Sequence, residues 1–248
     1  MENWLDDLRR AAGFLTRVPI SQPHDTDGFL RAMRVYPLVG AAIGLAAGCL
    51  LLVLLKLHVP PFAAAALALG ASALITGALH EDGLADIADG FGGGRDKPAK
   101  LDIMRDSRLG TYGTLALLVV FTARVAALAA IPALSAIAAL VATHALARAV
   151  VPAVSLLLPF ARADGLAAGA GQPDPVVVAT ALGFGALIAV ICLPFGTAVL
   201  AMIVTALGAT AVGWLAMRQI GGVTGDVLGA TEQVGEALVL LLLAARLG

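Results

Sequence analysis

Residues 175–217 contain no charged side chain over 43 consecutive positions. A soluble fold has little use for such a run, whereas a helix needs only about 20 apolar residues to cross a bilayer. Pro194 and Gly196 divide the run into two helices joined by a tight turn. Two further charge-free stretches, 35–55 and 57–80, are separated by a turn marked by Lys56, His58, Pro60 and Pro61. Spans at 111–131 and 133–158 carry one arginine each, Arg124 and Arg148, and a shorter apolar stretch covers 232–247. The expected fold is all-α: a polytopic integral membrane protein with about seven transmembrane helices, built as one domain over residues 1–248. Composition agrees, because only 13% of residues are charged where soluble domains carry about 25%. A net charge of −1 provides no basic field to hold nucleic acid. Cys49 and Cys192 stand alone in apolar stretches, so neither a disulfide framework nor a zinc cluster is available.

Orientation follows the bias of basic residues toward the cytoplasm. Arg9, Arg10, Arg17, Arg31 and Arg34 precede the first span, and Arg95, Lys97, Lys100, Arg105 and Arg108 follow the second. Both clusters therefore face the cytoplasm, and threading the chain places 159–173 and 218–231 on that side too. Ten charged residues within the first 34 argue against a signal peptide. Trp4, Leu5, Leu8, Ala12 and Leu15 recur near helical spacing opposite Asp6, Arg9 and Arg10, which predicts an amphipathic helix on the membrane surface.

Seven of the 17 acids fall between residues 81 and 106. Asp82, Asp86 and Asp89, at i, i+4 and i+7, share one face of a cytoplasmic acidic helix. Carboxylates that close repel one another, and an oxygen-only ligand set favours Mg²⁺, Mn²⁺ or Ca²⁺; the plainer reading is a solvated acidic face. The glycine run Gly90–Gly94 is expected to end this helix, Pro98 to open another, and Gly110 to close it. Asp102 and Asp106 repeat the i, i+4 spacing there, interleaved with Arg105 and Arg108. Acids that hold a cation and guanidinium forks that take phosphate oxygens make a metal–phosphate site, while the same spacing also suits an interfacial helix laced with salt bridges. A second polar island, Gly221–Ala230, offers Asp226 as ligand or general base. Glu232 and Glu236 open the last apolar stretch. Arg148 is the phosphate candidate within a span, Arg124 is explained by snorkelling, and His144 reads as a helix-packing partner. The combination fits metal-assisted phosphoryl transfer to a hydroxyl acceptor.

The sequence resembles the cobalamin synthase family, the adenosylcobinamide-GDP ribazoletransferases. The resemblance is carried by Phe14-Leu15-Thr16-Arg17-Val18-Pro19, Tyr36-Pro37-Leu38-Val39-Gly40, the His80–Gly90 segment, Ile103–Gly113, and Gly221–Ala230 with Glu232 and Glu236. These motifs stand in the family's order over nearly the whole chain; Glu81 departs from a residue the family can place there. The resemblance implies a cell-inner-membrane enzyme with a cytoplasmic site, which uses Mg²⁺ to join adenosylcobinamide-GDP and α-ribazole (or its 5′-phosphate) with release of GMP. It implies Asp82, Asp86 and Asp89 as metal ligands, with Asp102 and Asp106 as further ligands or base. Arg105, Arg108 and Arg148 would then hold the diphosphate, Gly222 and Thr224 would contact substrate, and Asp226 would complete the metal shell or take the proton. Neighbouring corrinoid-pathway enzymes are the candidate protein partners. Two rival readings remain: a Mg²⁺-dependent lipid-headgroup or prenyl transferase, and a cation transporter, which fits acids at one aqueous edge less well.

Overall fold

The structure is a computed structural model that describes residues 4–21, 28–164 and 169–248. It is helical throughout, and no β-strand occurs among the described residues. An N-terminal helix α1 (Trp4–Leu15) and a short α2 (Phe29–Ala32) lead through a 3₁₀ turn into α3 (Tyr36–Lys56). Then come α4 (Pro61–Thr76), α5 (Leu79–Gly93), α6 (Lys97–Ile103), α7 (Thr111–Ala130), α8 (Ala133–Ala149) and α9 (Val151–Leu157). The chain ends with α10 (Pro175–Cys192), α11 (Phe195–Ile220) and α12 (Gly225–Leu247). Six helical stretches among the described residues are long and apolar enough to cross a membrane, and α4 with α5 makes a seventh if the bent pair counts as one span.

Expected boundaries shift where packing outweighs propensity. The stretch expected over 57–80 stops at Thr76, because Gly77 and Ala78 both adopt left-handed backbone, at φ 66° and 56°. The amides of Gly77 and Ala78 close onto Leu74 and Ala73, and Arg17 N donates to Ile75 O at 2.7 Å, fixing the break from outside. The chain turns by 92° there. The last helix is longer than expected: it begins at Gly225, capped by the Thr224 hydroxyl, so Glu232 and Glu236 lie inside it rather than at its start.

The glycine run ends α5 as expected, but at its far end: the helix continues through Gly90, Gly92 and Gly93 to a cap at Gly94. A methyl at Gly90 would lie 2.5 Å from Met104 Cγ, and one at Gly92 would lie 2.6 Å from the Tyr112 ring. Close approach of α6 and α7 holds these residues helical despite their intrinsic cost. Residues 104–110 form an irregular turn, so Asp106 does not share a helical face with Asp102, and Gly110 caps the start of α7 rather than the end of α6. In α1, Trp4, Leu5 and Leu8 are exposed, which suits a surface helix in contact with lipid. Arg10, expected on the water-facing side, is buried, as is Asp7, which pairs with Arg31 at 3.0 Å and Arg34 at 2.7 Å.

The bundle core brings together Leu51, Leu69, Leu128, Leu140, Leu240 and Leu243. α3 packs antiparallel against α8 through Gly40, Gly44 and Gly48, which face His144, Leu140 and Ile137. With no hydrophobic drive between helices in lipid, backbone approach of this kind supplies the association. A methyl at Gly44 would lie 2.4 Å from Leu140 O. Gly44→Ala should therefore destabilise the bundle by about 1–3 kcal/mol through overpacking. Thermal unfolding in detergent reads this, and an unchanged transition would show that α3 and α8 can separate freely.

Candidate active site

Beyond the 92° bend, α5 lies across the N-terminal ends of α7 and α12. Gly83 permits this crossing, since a methyl there would lie 2.8 Å from Asp226 O. The predicted acidic face thereby meets the second polar island: Asp82 is exposed, Asp86 half-buried and Asp89 buried. Burial, together with the negative charges of Asp82, Asp226 and Asp89, raises the Asp86 carboxyl to about 7, against a smaller opposing effect of Arg162.

Asp89 has a defined structural task. Its carboxylate accepts from the amides of Gly110 at 2.8 Å and Gly113 at 2.9 Å, capping α7. A methyl at Gly110 or Gly113 would strike this carboxylate. Asp89→Ala should lower stability by about 1–2 kcal/mol, seen as a lower thermal midpoint. Asp89→Asn retains an acceptor and should lose less. Equal stability of the alanine variant would remove the capping role.

Arg105 and Arg108 of the 104–110 turn are exposed and paired. Arg105 Nη2 bonds Asp164 Oδ2 at 2.5 Å, and Arg108 Nη2 bonds Asp106 Oδ2 at 2.6 Å. The Arg108 hydrogen bonds hold the Asp106 carboxyl below its usual range. Asp102 is exposed on α6. These residues border the site through Asp164, which lines its cavity.

That cavity, of about 250 Å³, brings Asp82, His80, Arg148, Arg162, Thr224 and Asp226 to one space. Arg162 Nη2 stands 3.9 Å from Asp226 Oδ2. The Thr224 hydroxyl accepts from Val227 N at 3.3 Å and donates to Asp226 Oδ2 at 3.1 Å. Gly222 lies elsewhere: Val223 N donates to Pro159 O at 2.8 Å beside it, and a methyl at Gly222 would lie 2.2 Å from that oxygen. Its place in the structure is the close crossing of the 159–161 segment.

Beneath the cavity lies a buried ion network whose extent is not legible in the local spacing. Glu236 accepts from Arg124, from Arg148 at 2.9 Å, and contacts His144 Nδ1. Arg148 also reaches Glu232 at 2.6 Å, and His80 Nδ1 lies 3.8 Å from Glu232. Arg124 donates to Gln233 Oε1 at 2.6 Å and sits 3.9 Å from Glu81. Arg124 is thus buried and paired rather than snorkelling, and His144 is a polar partner of Glu236 rather than a packing residue alone. Among the described residues, His144, Glu232 and Glu236 are the three whose ligand atoms converge within 4.8 Å. Guanidinium groups already occupy that space, so the cluster is a closed network and not a cation site. The available signal was two i, i+4 pairs of opposite character, His144/Arg148 and Glu232/Glu236, on two apolar helices.

The family model for cobalamin-5-phosphate synthase matches residues 7–244. The chain belongs to that family. A Bradyrhizobium diazoefficiens protein named adenosylcobinamide-GDP ribazoletransferase is 49% identical, with 99% of this chain and 95% of that one covered. Proteins of the same name from Sinorhizobium medicae and Brucella ovis are 44% and 41% identical over 98% of this chain, covering 97% and 98% of their own lengths. No solved structure matches. The family's length and this chain's therefore coincide, and all of the cavity-lining residues lie inside the matched region.

Proposed function

We propose that the chain transfers the phosphocobinamide group of adenosylcobinamide-GDP to a ribose hydroxyl of α-ribazole or its 5′-phosphate, releasing GMP. The observation that carries this reading is one cavity that joins Asp82 of α5 to Asp226 of α12, with Arg148 and Arg162 beside them. The relatives' shared name supplies the substrates. Positive-inside bias supports a cytoplasmic-facing site in the cell inner membrane. Formation of a product from two corrinoid-pathway intermediates makes neighbouring pathway enzymes the natural protein partners.

The donor set fits Mg²⁺. Asp82, Asp86 and Asp226 offer oxygen ligands only, and their mutual repulsion, which adds to burial in raising the Asp86 carboxyl, is what a divalent cation relieves. Asp89, engaged with two amides, contributes charge rather than a free ligand face. Asp102 and Asp106 would serve from the rim. When bound, the ion neutralises diphosphate charge and acidifies the attacking hydroxyl. The chain's own groups do the rest. Arg105 and Arg108 exchange Asp164 and Asp106 for diphosphate oxygens at the mouth, and Arg148 and Arg162 bind them within. Asp226, steadied by Thr224, takes the proton of the ribose hydroxyl. The hydroxyl oxygen forms a bond to the cobinamide-proximal phosphorus as the bond to the GMP oxygen breaks, and GMP leaves with that electron pair.

GMP release from detergent-solubilised protein tests the reading. Release that needs adenosylcobinamide-GDP, α-ribazole and Mg²⁺ is expected; no GMP from that pair, with a phosphate-ester product formed from a lipid diphosphate and a hydroxyl acceptor, would favour the lipid-transferase reading instead. Titration of Asp86 adds a pH dependence. With its folded value raised to about 7, the folded state retains a proton that the unfolded chain loses near 4, so this group makes the metal-free protein less stable as pH rises from about 4 to about 7. Cation binding must displace that proton below pH 7. The thermal shift caused by Mg²⁺ should therefore be larger at pH 8 than at pH 6, with apparent affinity falling about tenfold per unit below 7. A shift independent of pH would exclude Asp86 as a ligand.

A further inference from the structure

The cavity has lining that the transfer chemistry does not use. Aromatic side chains from three elements contribute to it: Phe14 in the last turn of α1, Phe29 at the start of α2 and Tyr36 at the start of α3. The Phe14 ring stands perpendicular to Phe29 with centroids 5.0 Å apart, and within 17° of parallel to Tyr36 at 6.3 Å. Phe14 nonetheless keeps 36% of its surface open. Tyr36 is almost wholly buried, and its hydroxyl has no hydrogen-bond partner among the described residues. A buried phenol normally has one, so an acceptor from outside the chain is wanted here.

Of the two substrates in the transferase reading, on which this inference rests, one suits such a place. At about 250 Å³, just under the ~300–1,000 Å³ of drug-sized ligand sites, the cavity is of nucleoside scale. α-Ribazole carries a flat, apolar, bicyclic base with one ring-nitrogen acceptor, and a ribose that is polar at its other end. The cavity offers both chemistries: aromatic rings from α1, α2 and α3, and carboxylates and arginines from α5, α8, α12 and the 159–164 segment. We propose that Phe14, Phe29 and Tyr36 form the base subsite for the acceptor nucleoside, seating its benzimidazole ring so that the ribose extends toward Asp82 and Asp226. The surface helix α1 thereby completes a substrate site as well as contacting lipid. The subsite also selects the lower base. A purine would bury several ring nitrogens and an exocyclic group against phenylalanine, leaving them unpaired.

The test measures KM for each substrate separately with the full-length protein in detergent. Phe14→Ala should raise KM for α-ribazole about tenfold, the effect of losing an aromatic contact, while KM for adenosylcobinamide-GDP and kcat stay within about twofold of wild type. Tyr36→Phe removes only an unpartnered hydroxyl, so it should fold normally. It should lose the preference for the benzimidazole riboside over an indole riboside, which lacks the acceptor nitrogen. An unchanged α-ribazole KM in Phe14→Ala, or an equal rise for the corrinoid, overturns the subsite; so does an unaltered benzimidazole preference in Tyr36→Phe. Should Phe14→Ala prove unstable, the Tyr36→Phe comparison decides alone. Wild-type protein that releases no GMP would instead defeat the transferase reading. In that case equilibrium dialysis of α-ribazole alone, with and without the Phe14 ring, still reads the subsite.

Discussion

Glu236→Ala should cost about 3–5 kcal/mol, the penalty for breaking a buried ion pair by removing one partner. One carboxylate here serves Arg124, Arg148 and His144, all almost completely buried. After truncation, Arg148 keeps Glu232 at 2.6 Å, but Arg124 keeps only Gln233 and the more distant Glu81. Two guanidinium groups inside a helical bundle then share less compensating charge, with no water to replace it. For a chain of this size the loss corresponds to a thermal midpoint lower by about 10 °C or more. Glu236→Gln keeps the shape and one acceptor and should fall between. A melting temperature equal to that of wild type in Glu236→Ala would mean that the network contributes nothing to holding α7, α8 and α12 together.

Asp82→Asn should behave in the opposite way. Asp82 is exposed and adds to the charge that crowds Asp86. Neutralising it relieves repulsion, so the metal-free fold should be unaffected or slightly more stable. Turnover should drop by at least about 10²-fold, the usual consequence of removing one electrostatic stabiliser from a reacting centre, and Mg²⁺ should no longer raise the melting temperature to the wild-type extent. Asp86→Asn should share the loss of turnover. The two traits separate function from folding: a residue kept for the bundle loses both together, as Glu236 should, whereas a residue kept for the reaction loses activity while stability holds or rises. Full GMP release by Asp82→Asn would sink the assignment of this carboxylate.

Bilayer physics made the spans legible without coordinates. A charge-free run such as 175–217 has few folds open to it, and Pro194 placed its turn where the structure has one. The acidic face was legible for a related reason, because i, i+4 and i+7 carboxylates share a side of any helix. Boundaries that depend on neighbours were not. Gly77 is a local stop signal, but nothing local marks the left-handed Ala78 or the 92° bend, which the Arg17 N bond to Ile75 O and the crossing of α5 over α7 and α12 hold in place. Gly90 and Gly92 read as a helix end until Met104 and Tyr112 are seen to need their missing side chains.

The ionisable residues divide along the same line. Spacing placed Asp82 and Asp86 together because they lie one turn apart, yet it could not distinguish Asp89, whose neighbours in space are amides of a helix 21 and 24 residues on. Arg124, His144, Arg148, Glu232 and Glu236 each showed in the sequence as a solitary charge or a short pair, and local causes such as snorkelling or a helix N-terminus sufficed for each. Their pairing spans up to 112 residues, and only the packing of three helices decides it. By itself, the sequence determined that this chain lives in a membrane, which helices cross it and where its acids cluster, because hydrophobicity and helical periodicity act locally. Tertiary structure decided which charges neutralise one another and which remain open to a substrate, because in a medium without water a charge must find its partner wherever the fold brings one.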